Sequence, residues 1–175
     1  YEALALLSEL SGSPKIPNEL IRPYIADVPT SGDLDVTTLG PLIADIMPEE
    51  SIVSDESATS SLIVTPHALQ AKPHDWLALT GGSIGQGLPL AIGASIAKPD
   101  RPVITLHGDG GAMYTVQALW TQARENLNIT NIIFSNRSYE ILKIELDRVQ
   151  AVETGERAAS MFSMDNPPID WVNLA

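Results

Sequence analysis

The sequence predicts an α/β fold, a mostly parallel sheet with helices on both faces. Two apolar, β-branched runs at 101–108 and 129–136 are typical of parallel strands buried on both sides. Between them, apolar residues from Val116 to Leu127 recur at helical spacing and complete a β-α-β unit. An apolar segment at 169–174 looks like the start of another element, so we expect the fold to be incomplete at the C-terminus.

The beginning of the chain divides into a tail and the start of the main domain. Residues 1–10 carry alanines and leucines at helical spacing, and the segment after them contains four prolines, which prevent a long regular element. We predict that residues 1–33 are the tail of a preceding domain with its proline-rich linker, that 34–175 form the main domain, and that the chain is a fragment. Asp35 is a suitable N-cap for a helix that extends through Met47.

Strands and helices are predicted to alternate after this first helix of the domain. Gly87 and Gly93 are expected to let the next long helix pack closely on the sheet, and Pro89 favours its first turn. Trp120, in the helix of the β-α-β unit, is expected in the core. The additional elements are predicted as a strand at 51–55, a strand at 76–80 and a helix at 85–98.

The charge and composition exclude several classes of function. Acidic residues outnumber basic ones by 22 to 10, which gives a net charge of −12. Nucleic acids and anionic membranes are bound by clusters of Lys and Arg, so neither is an expected partner. The absence of cysteine excludes disulfides, thiolate metal ligands and a cysteine nucleophile. No apolar run reaches the ~18 residues of a membrane span and no signal peptide is visible, so we expect a cytoplasmic protein.

Asp109 and Asn136 each come directly after a predicted strand. Ligands of open parallel sheets bind beyond the carboxyl ends of the strands, so these two side chains are placed to face one site. Their oxygen atoms suit Mg²⁺, which often leaves part of its coordination shell to phosphate groups. The sequence therefore suggests a metal that holds a phosphate. The alternative is an ordinary strand-to-helix turn that Asp109 caps.

The residues around Asp109 fit the first of these interpretations. Gly108 and Gly110 allow a sharp backbone turn, and Gly111 and Ala112 can direct backbone amides at an anion. A bound cation would also reconcile a phosphate ligand with an acidic protein.

A larger pattern contains this turn. "GDG" at 108–110 is followed by 25 residues and then Asn136, and "GGSIGQGLP" precedes it at 81–89. From about Val36 to Asp147 the chain resembles the C-terminal, diphosphate-binding domain of thiamine-diphosphate-dependent enzymes of the acetolactate synthase and benzoylformate decarboxylase type.

The resemblance implies a role for individual residues. Asp109, Asn136 and the backbone carbonyl of Ser138 would bind Mg²⁺. Ile84 would be the apolar wedge that bends the cofactor, and the carbonyl of Gly82 would receive the amino group of its pyrimidine. The other residues that the resemblance places at the cofactor are Ala58, Thr59, Gly108, Gly110, Gly111, Ala112 and Tyr139.

The resemblance also implies an activity and partners. Enzymes of this kind decarboxylate small 2-oxo acids and then protonate the remaining unit or add it to a second carbonyl. The glutamate that activates thiamine diphosphate comes from an N-terminal pyrimidine-binding domain of the same or a partner subunit, so we expect a homodimer or homotetramer and an inactive fragment. Binding of FAD to a middle domain is left open.

Two departures from the family pattern keep alternatives open. Ser135 and Glu140 stand where the family commonly has asparagine and glycine. They fit either adaptation to a particular substrate or a non-catalytic relative that serves as an assembly partner, and a simple benzoylformate-type decarboxylase is a further alternative. A dinucleotide-binding domain is disfavoured because the segment at 81–87 lacks a clean G-x-G-x-x-G.

The remaining polar residues are interpreted as structural. His67, His74 and His107 are expected to be surface or hydrogen-bonded structural residues. The "DES" sequence at 55–57 is predicted to be a strand-end loop, because no histidine follows it in a nucleophile arrangement.

Overall fold

The computed structural model of the chain describes residues 2–12, 28, 31–68, 71–149 and 155–175. The predicted linker lies mostly outside these residues, so the domain boundary stays a prediction. The strands are β1 (Ile52–Glu56), β2 (Asp75–Ala78), β3 (Val103–Gly108) and β4 (Ile129–Phe134). The α-helices are α1 (Glu2–Leu10), α2 (Val36–Ile46), α3 (Ser61–Ala68), α4 (Gly87–Ala97), α5 (Asp109–Ala112), α6 (Ala118–Arg124), α7 (Glu140–Arg148), α8 (Glu156–Ser160) and α9 (Trp171–Leu174).

The four strands form one sheet in the order β2-β1-β3-β4, and every pairing is parallel. The chain runs from β1 outward to β2, returns across β1 to β3, and continues outward to β4 on the other side. Neighbouring strands whose connections leave in opposite directions form the switch point of an open parallel sheet, where ligands bind. That switch point lies between the carboxyl ends of β1 and β3.

Apolar clusters cover both faces of the sheet. On one face, Ile43 and Met47 from the end of α2 and Val64 from α3 pack on alternate residues of β1 and β3. On the other face, Ala91 of α4 packs on Ile52 and Val103, and a further cluster joins α4 to α5 and α6. Each fully buried aliphatic side chain contributes about 1.5–3 kcal/mol through removal from water. The predicted α/β fold with helices on both faces is confirmed.

Individual elements largely follow the sequence. The predicted N-cap Asp35 accepts hydrogen bonds from the backbone N–H of Thr37 and Thr38, and the Asp35 N–H donates to the Thr38 hydroxyl, which makes a capping box. The predicted N-terminal helix forms as α1, none of whose residues is buried. The apolar segment at 169–174 forms the short helix α9.

Three local predictions were wrong. Trp120 is 64% exposed, with the Arg124 guanidinium stacked over its ring, because α6 turns Ala118 and Gln122 towards the sheet. Gly93 is exposed, and an added Cβ would meet nothing within 4 Å, so close packing does not require this glycine. Glu56, predicted to lie in a strand-end loop, is the last residue of β1.

Across the described ranges, no helix is both long enough and apolar enough to cross a bilayer.

Candidate functional site

Asp109 lies where β3 ends and α5 begins, and its side chain is buried, with 3% exposure. Its Oδ1 accepts a hydrogen bond from the Gly110 N–H at 2.9 Å. Its Oδ2 accepts from the Arg137 N–H at 2.7 Å and from the Ser135 hydroxyl at 3.4 Å. The carboxylate therefore ties the end of β3 to the turn after β4.

The turn after β4 presents Asn136 beside Asp109. The Asn136 Oδ1 accepts a hydrogen bond from the Ser138 N–H at 3.0 Å, and the intervening Arg137 adopts a left-handed backbone with φ 55°. Residues other than glycine rarely adopt that conformation. The hydrogen bonds on either side of Arg137 hold the turn in it. The segment after α8 supports it from outside, because the Tyr139 N–H donates to the Phe162 carbonyl at 2.9 Å.

A third turn follows β1. Asp55 Oδ1 accepts hydrogen bonds from both the N–H and the hydroxyl of Ser57, at 2.9 and 2.7 Å. Ala58, directly after it, has a left-handed backbone with φ 51° and begins a short 3-10 helix, Ala58–Ser60. This geometry directs the predicted residues Ala58 and Thr59 towards Asp109.

The three turns enclose one cavity at the switch point of the sheet. Asp109, Asn136 and Ser138, the residues predicted to bind the metal, all line it. So do six further residues that were predicted to contact the cofactor: Ala58, Thr59, Gly108, Gly110, Gly111 and Tyr139.

Three predicted residues lie away from this lining. Ala112 is fully buried under the turn, where it packs with Leu88 and Ala118. Gly82 and Ile84 lie in the loop between β2 and α4. The cavity thus brings together the residues predicted to bind the metal and, except for Ala112, those predicted near the diphosphate, and the two residues predicted for the thiamine rings lie in a separate loop.

The residues at the cavity fit a hard divalent cation with a phosphate ligand. Asp109 is a buried carboxylate, and the ion pairs found among the described residues do not include it. Carboxylate, amide and carbonyl oxygens are the ligands that Mg²⁺ prefers. Within the described part of the chain no cluster of three or more His, Cys, Asp or Glu could hold a metal, so a cation here depends on one carboxylate with neutral oxygens.

The glycines of this turn provide space that a side chain would fill. A Cβ added at Gly110 would lie 2.8 Å from the Tyr139 ring, and one added at Gly111 would lie 3.0 Å from Glu56 Oε1. Any larger residue at either position would displace the side chains that line or support the cavity.

Ile84 and Gly82 lie in a loop of unusual backbone conformation. Gly81, Gly82 and Gly85 have φ values of 63°, 69° and 89°, in the left-handed region that favours glycine. The Ile84 N–H donates to the Gly82 carbonyl at 2.9 Å, which leaves that carbonyl a second lone pair for another donor. The Ile84 side chain is 57% exposed.

A buried acid that sequence reasoning missed supports this loop. Glu56 is 4% exposed, and its Oε1 and Oε2 accept hydrogen bonds from the N–H groups of Gly85 and Gly87, at 2.5 and 2.6 Å. His107 Nε2 lies 3.0 Å from Glu56 Oε2, within ion-pair distance, although its N–H is not aligned for a hydrogen bond. Burial raises the pKa of the Glu56 carboxyl, but His107 and the two backbone donors outweigh burial and hold the pKa below its usual value.

One signal in the sequence could have found Glu56. Like Asp109, it is an acid at the carboxyl end of a strand next to the switch point. The predicted structural role of the histidines agrees with the structure for His107, which is fully buried, and for His67, which packs against Gly40. Glu140 also lines the cavity and pairs with Lys143 at 3.3 Å.

Comparison with known proteins identifies the class. Residues 58–175 match the thiamine pyrophosphate enzyme family, in its C-terminal TPP binding domain, and the chain belongs to this family. The resemblance predicted from the "GDG" and "GGSIGQGLP" motifs is confirmed.

Particular relatives refine the comparison. The chain is 46% identical over 146 residues to the "Putative acetolactate synthase large subunit IlvX" of Mycobacterium tuberculosis, covering 83% of this chain and 28% of that protein. It is 32% identical over 140 residues to benzoylformate decarboxylase of Pseudomonas aeruginosa, covering 79% of this chain and 26% of that protein. The chain therefore spans about a quarter of the length of these curated relatives.

A solved structure shows the same fold. The thiamine diphosphate-dependent 4-hydroxybenzoylformate decarboxylase of Rhodococcus jostii RHA1 superposes with a TM-score of 0.67 at 29% identity, covering 87% of this chain and 28% of that one. The parallel sheet and its flanking helices are thus those of thiamine-diphosphate-dependent enzymes.

Proposed function

We propose that this chain is the magnesium- and thiamine-diphosphate-binding part of an enzyme that decarboxylates small 2-oxo acids, of the acetolactate synthase or benzoylformate decarboxylase type. The observation that carries the proposal is the convergence of Asp109, Asn136 and Ser138 on one cavity beside the glycine turn at 108–111. The names of the relatives support the substrate class. Thiamine diphosphate, when bound, supplies a carbon nucleophile and an electron sink for the decarboxylation.

Different residues of this chain would bind the metal, the diphosphate and the rings of the cofactor. Asp109 and Asn136 would hold Mg²⁺ through side-chain oxygens, and Ser138 would do so through its carbonyl. Gly111 and its neighbours would offer backbone contacts to the diphosphate. Ile84 would support the bend of the cofactor, and the Gly82 carbonyl would accept a hydrogen bond from the aminopyrimidine and so align the amino group for proton transfer.

The proposal extends to the whole protein. It comprises residues 34–175 as the cofactor domain, an N-terminal pyrimidine-binding domain of the same or a partner subunit, and a homodimer or homotetramer in the cytoplasm. The exposed Ile84 supports an opposing domain, since a wedge bends a cofactor only if the other side is held.

Glu140 favours a second candidate. An acid lines the cavity where the family commonly has glycine, and this fits a non-catalytic relative that retains the cofactor as an assembly partner.

Carbon dioxide release by the intact native protein tests the proposal. We expect release from pyruvate or benzoylformate that requires both Mg²⁺ and thiamine diphosphate and stops when EDTA is added. Metal-dependent cofactor binding without release from any 2-oxo acid would support the non-catalytic relative. A protein that does not bind the cofactor at all would contradict both candidates.

A further inference from the structure

The Glu56 carboxylate lies between two parts of the proposed cofactor site. It ends β1, faces α4 and is almost fully buried. Each of its oxygens has a separate backbone donor: Oε1 accepts from the Gly85 N–H and Oε2 from the Gly87 N–H. These donors lie on either side of the start of α4, so one carboxylate fixes both the end of the loop and the beginning of the helix.

The position of Ile84 depends on this anchor. Ile84 directly precedes Gly85, and its own side chain is mostly exposed, so side-chain packing does not hold it in place. Gly85 is held on both sides instead, because its N–H donates to Glu56 and its carbonyl accepts from the Thr115 hydroxyl at 2.7 Å. Its left-handed backbone, with φ 89°, is thereby fixed by two hydrogen bonds.

The same carboxylate lies beside the glycine turn at 108–111, which we call the diphosphate turn. A Cβ added at Gly111 would lie 3.0 Å from Glu56 Oε1 and 3.1 Å from the His107 ring. His107 precedes the turn in β3, is fully buried, and lies 3.0 Å from Glu56 Oε2. Glu56 therefore packs against the turn that lines the cavity while it holds the loop that carries Ile84.

We propose that Glu56 is a positioning residue that sets the distance between Ile84 and the diphosphate turn, and with it the bend of the bound cofactor. This inference rests on the proposed function. A carboxylate is required because it offers an acceptor oxygen to each of the two N–H groups. Glutamine has the same shape, but its NH₂ group would face one of those N–H groups and push the loop away.

The test compares Glu56→Gln with Asp75→Asn in the intact native protein. Asp75 begins β2, at the opposite end of the strands from the cavity, and pairs there with Arg101, so the same change from carboxylate to amide leaves the site untouched. Calorimetry with Mg²⁺ present measures the affinity for thiamine diphosphate and, separately, for inorganic diphosphate. Inorganic diphosphate engages the turn alone, whereas thiamine diphosphate engages the turn and the wedge.

We expect E56Q to bind inorganic diphosphate like the wild type, to bind thiamine diphosphate about tenfold more weakly, and to lose about a hundredfold in kcat with little change in KM, since a displacement of about 1 Å has effects of that order. D75N should match the wild type in every measurement. Thr115→Val removes only the hydrogen bond from the Thr115 hydroxyl to the Gly85 carbonyl. It should weaken thiamine diphosphate binding in the same selective way, and it replaces E56Q as the test variant if E56Q does not fold.

The opposite results are distinguishable. Equal loss of both ligands in E56Q and T115V would make Glu56 a general support of the fold and overturn the inference. Wild-type affinities and turnover in both variants would overturn it as well, while the proposed function would stand. A wild-type protein that binds neither ligand would overturn the proposed function and the inference together.

Discussion

The diphosphate cavity and the Ile84 loop are built in opposite ways. The cavity is closed by turns that follow three parallel strands, and its central carboxylate, Asp109, is buried and held by three hydrogen bonds. The loop contains three glycines with left-handed backbones, exposes the Ile84 side chain, and is held through Glu56 and Thr115. Under the proposed function, binding of the charged end would depend on the ends of the sheet strands, whereas placement of the rings would depend on the hydrogen bonds that hold the Ile84 loop.

This difference separates affinity from rate. Changes in the cavity should remove cofactor binding, because they delete ligands of the charged groups. Changes in the loop should leave much of the affinity and reduce turnover, because catalysis depends on the alignment of reacting groups more steeply than binding does.

Removing the charge of Asp109 should have the largest effect. Asp109→Asn retains the size of the side chain but lacks the anionic ligand, so metal-dependent affinity for thiamine diphosphate should fall by more than ~100-fold. Even groups that only orient a metal ligand cost about 10–100-fold when they are lost. Calorimetry with and without Mg²⁺ measures the change.

Asp165→Asn is the matched control for this variant. Asp165 pairs with the Arg137 guanidinium beside the same turn but is exposed, so its loss should not affect cofactor affinity. Unchanged affinity in a folded Asp109→Asn protein would show that Asp109 does not bind the metal.

Shortening the wedge should give the next largest effect. Ile84→Ala should slow turnover by about a hundredfold while the cofactor dissociation constant rises only a few-fold, because the diphosphate contacts remain. Ile96→Ala is the control, since Ile96 is similarly exposed, at 62%, but lies near the end of α4. Full specific activity in the Ile84→Ala variant would show that the Ile84 side chain does not bend the cofactor.

The residues that line the cavity could be predicted from the sequence more completely than the residue that holds the Ile84 loop. Asp109 and Asn136 were predictable because each directly follows an apolar strand, and parallel strands bring their carboxyl ends together. Glu56 was missed because its donors are 29 and 31 residues away, and only the packing of α4 on β1 brings them together. Trp120 was assigned to the core from helical periodicity, which cannot tell which face of a short helix meets the sheet.

The rise in melting temperature on ligand binding is a smaller effect, and it reports on binding at the cavity alone. The 175-residue chain should melt several degrees higher only when Mg²⁺ and thiamine diphosphate are present together. At a cofactor concentration of ~100 times the dissociation constant, the gain in unfolding free energy is about 2.7 kcal/mol. Scanning calorimetry with each component alone provides the controls.

The same chain should not turn over pyruvate by itself, because the proposed function assigns the surface that opposes Ile84 to a pyrimidine-binding domain. Adding that domain should restore carbon dioxide release. Robust turnover by the 175-residue chain would contradict the division between the two regions.

The smallest expected effect is the pH dependence of the loop's anchor. The pKa of Glu56 is lowered in the folded protein from its usual value of 4.5, because its contacts with His107, Gly85 and Gly87 outweigh burial. A lowered folded pKa means that the stabilisation is complete above the unfolded value and is lost as the pH falls through the folded value. Urea unfolding should therefore show a gap in stability between the wild type and Glu56→Gln that is widest above about pH 5 and narrows at lower pH. The two proteins differ only at residue 56, so a gap that stays constant down to the acid transition would show that the Glu56 charge does not hold the loop.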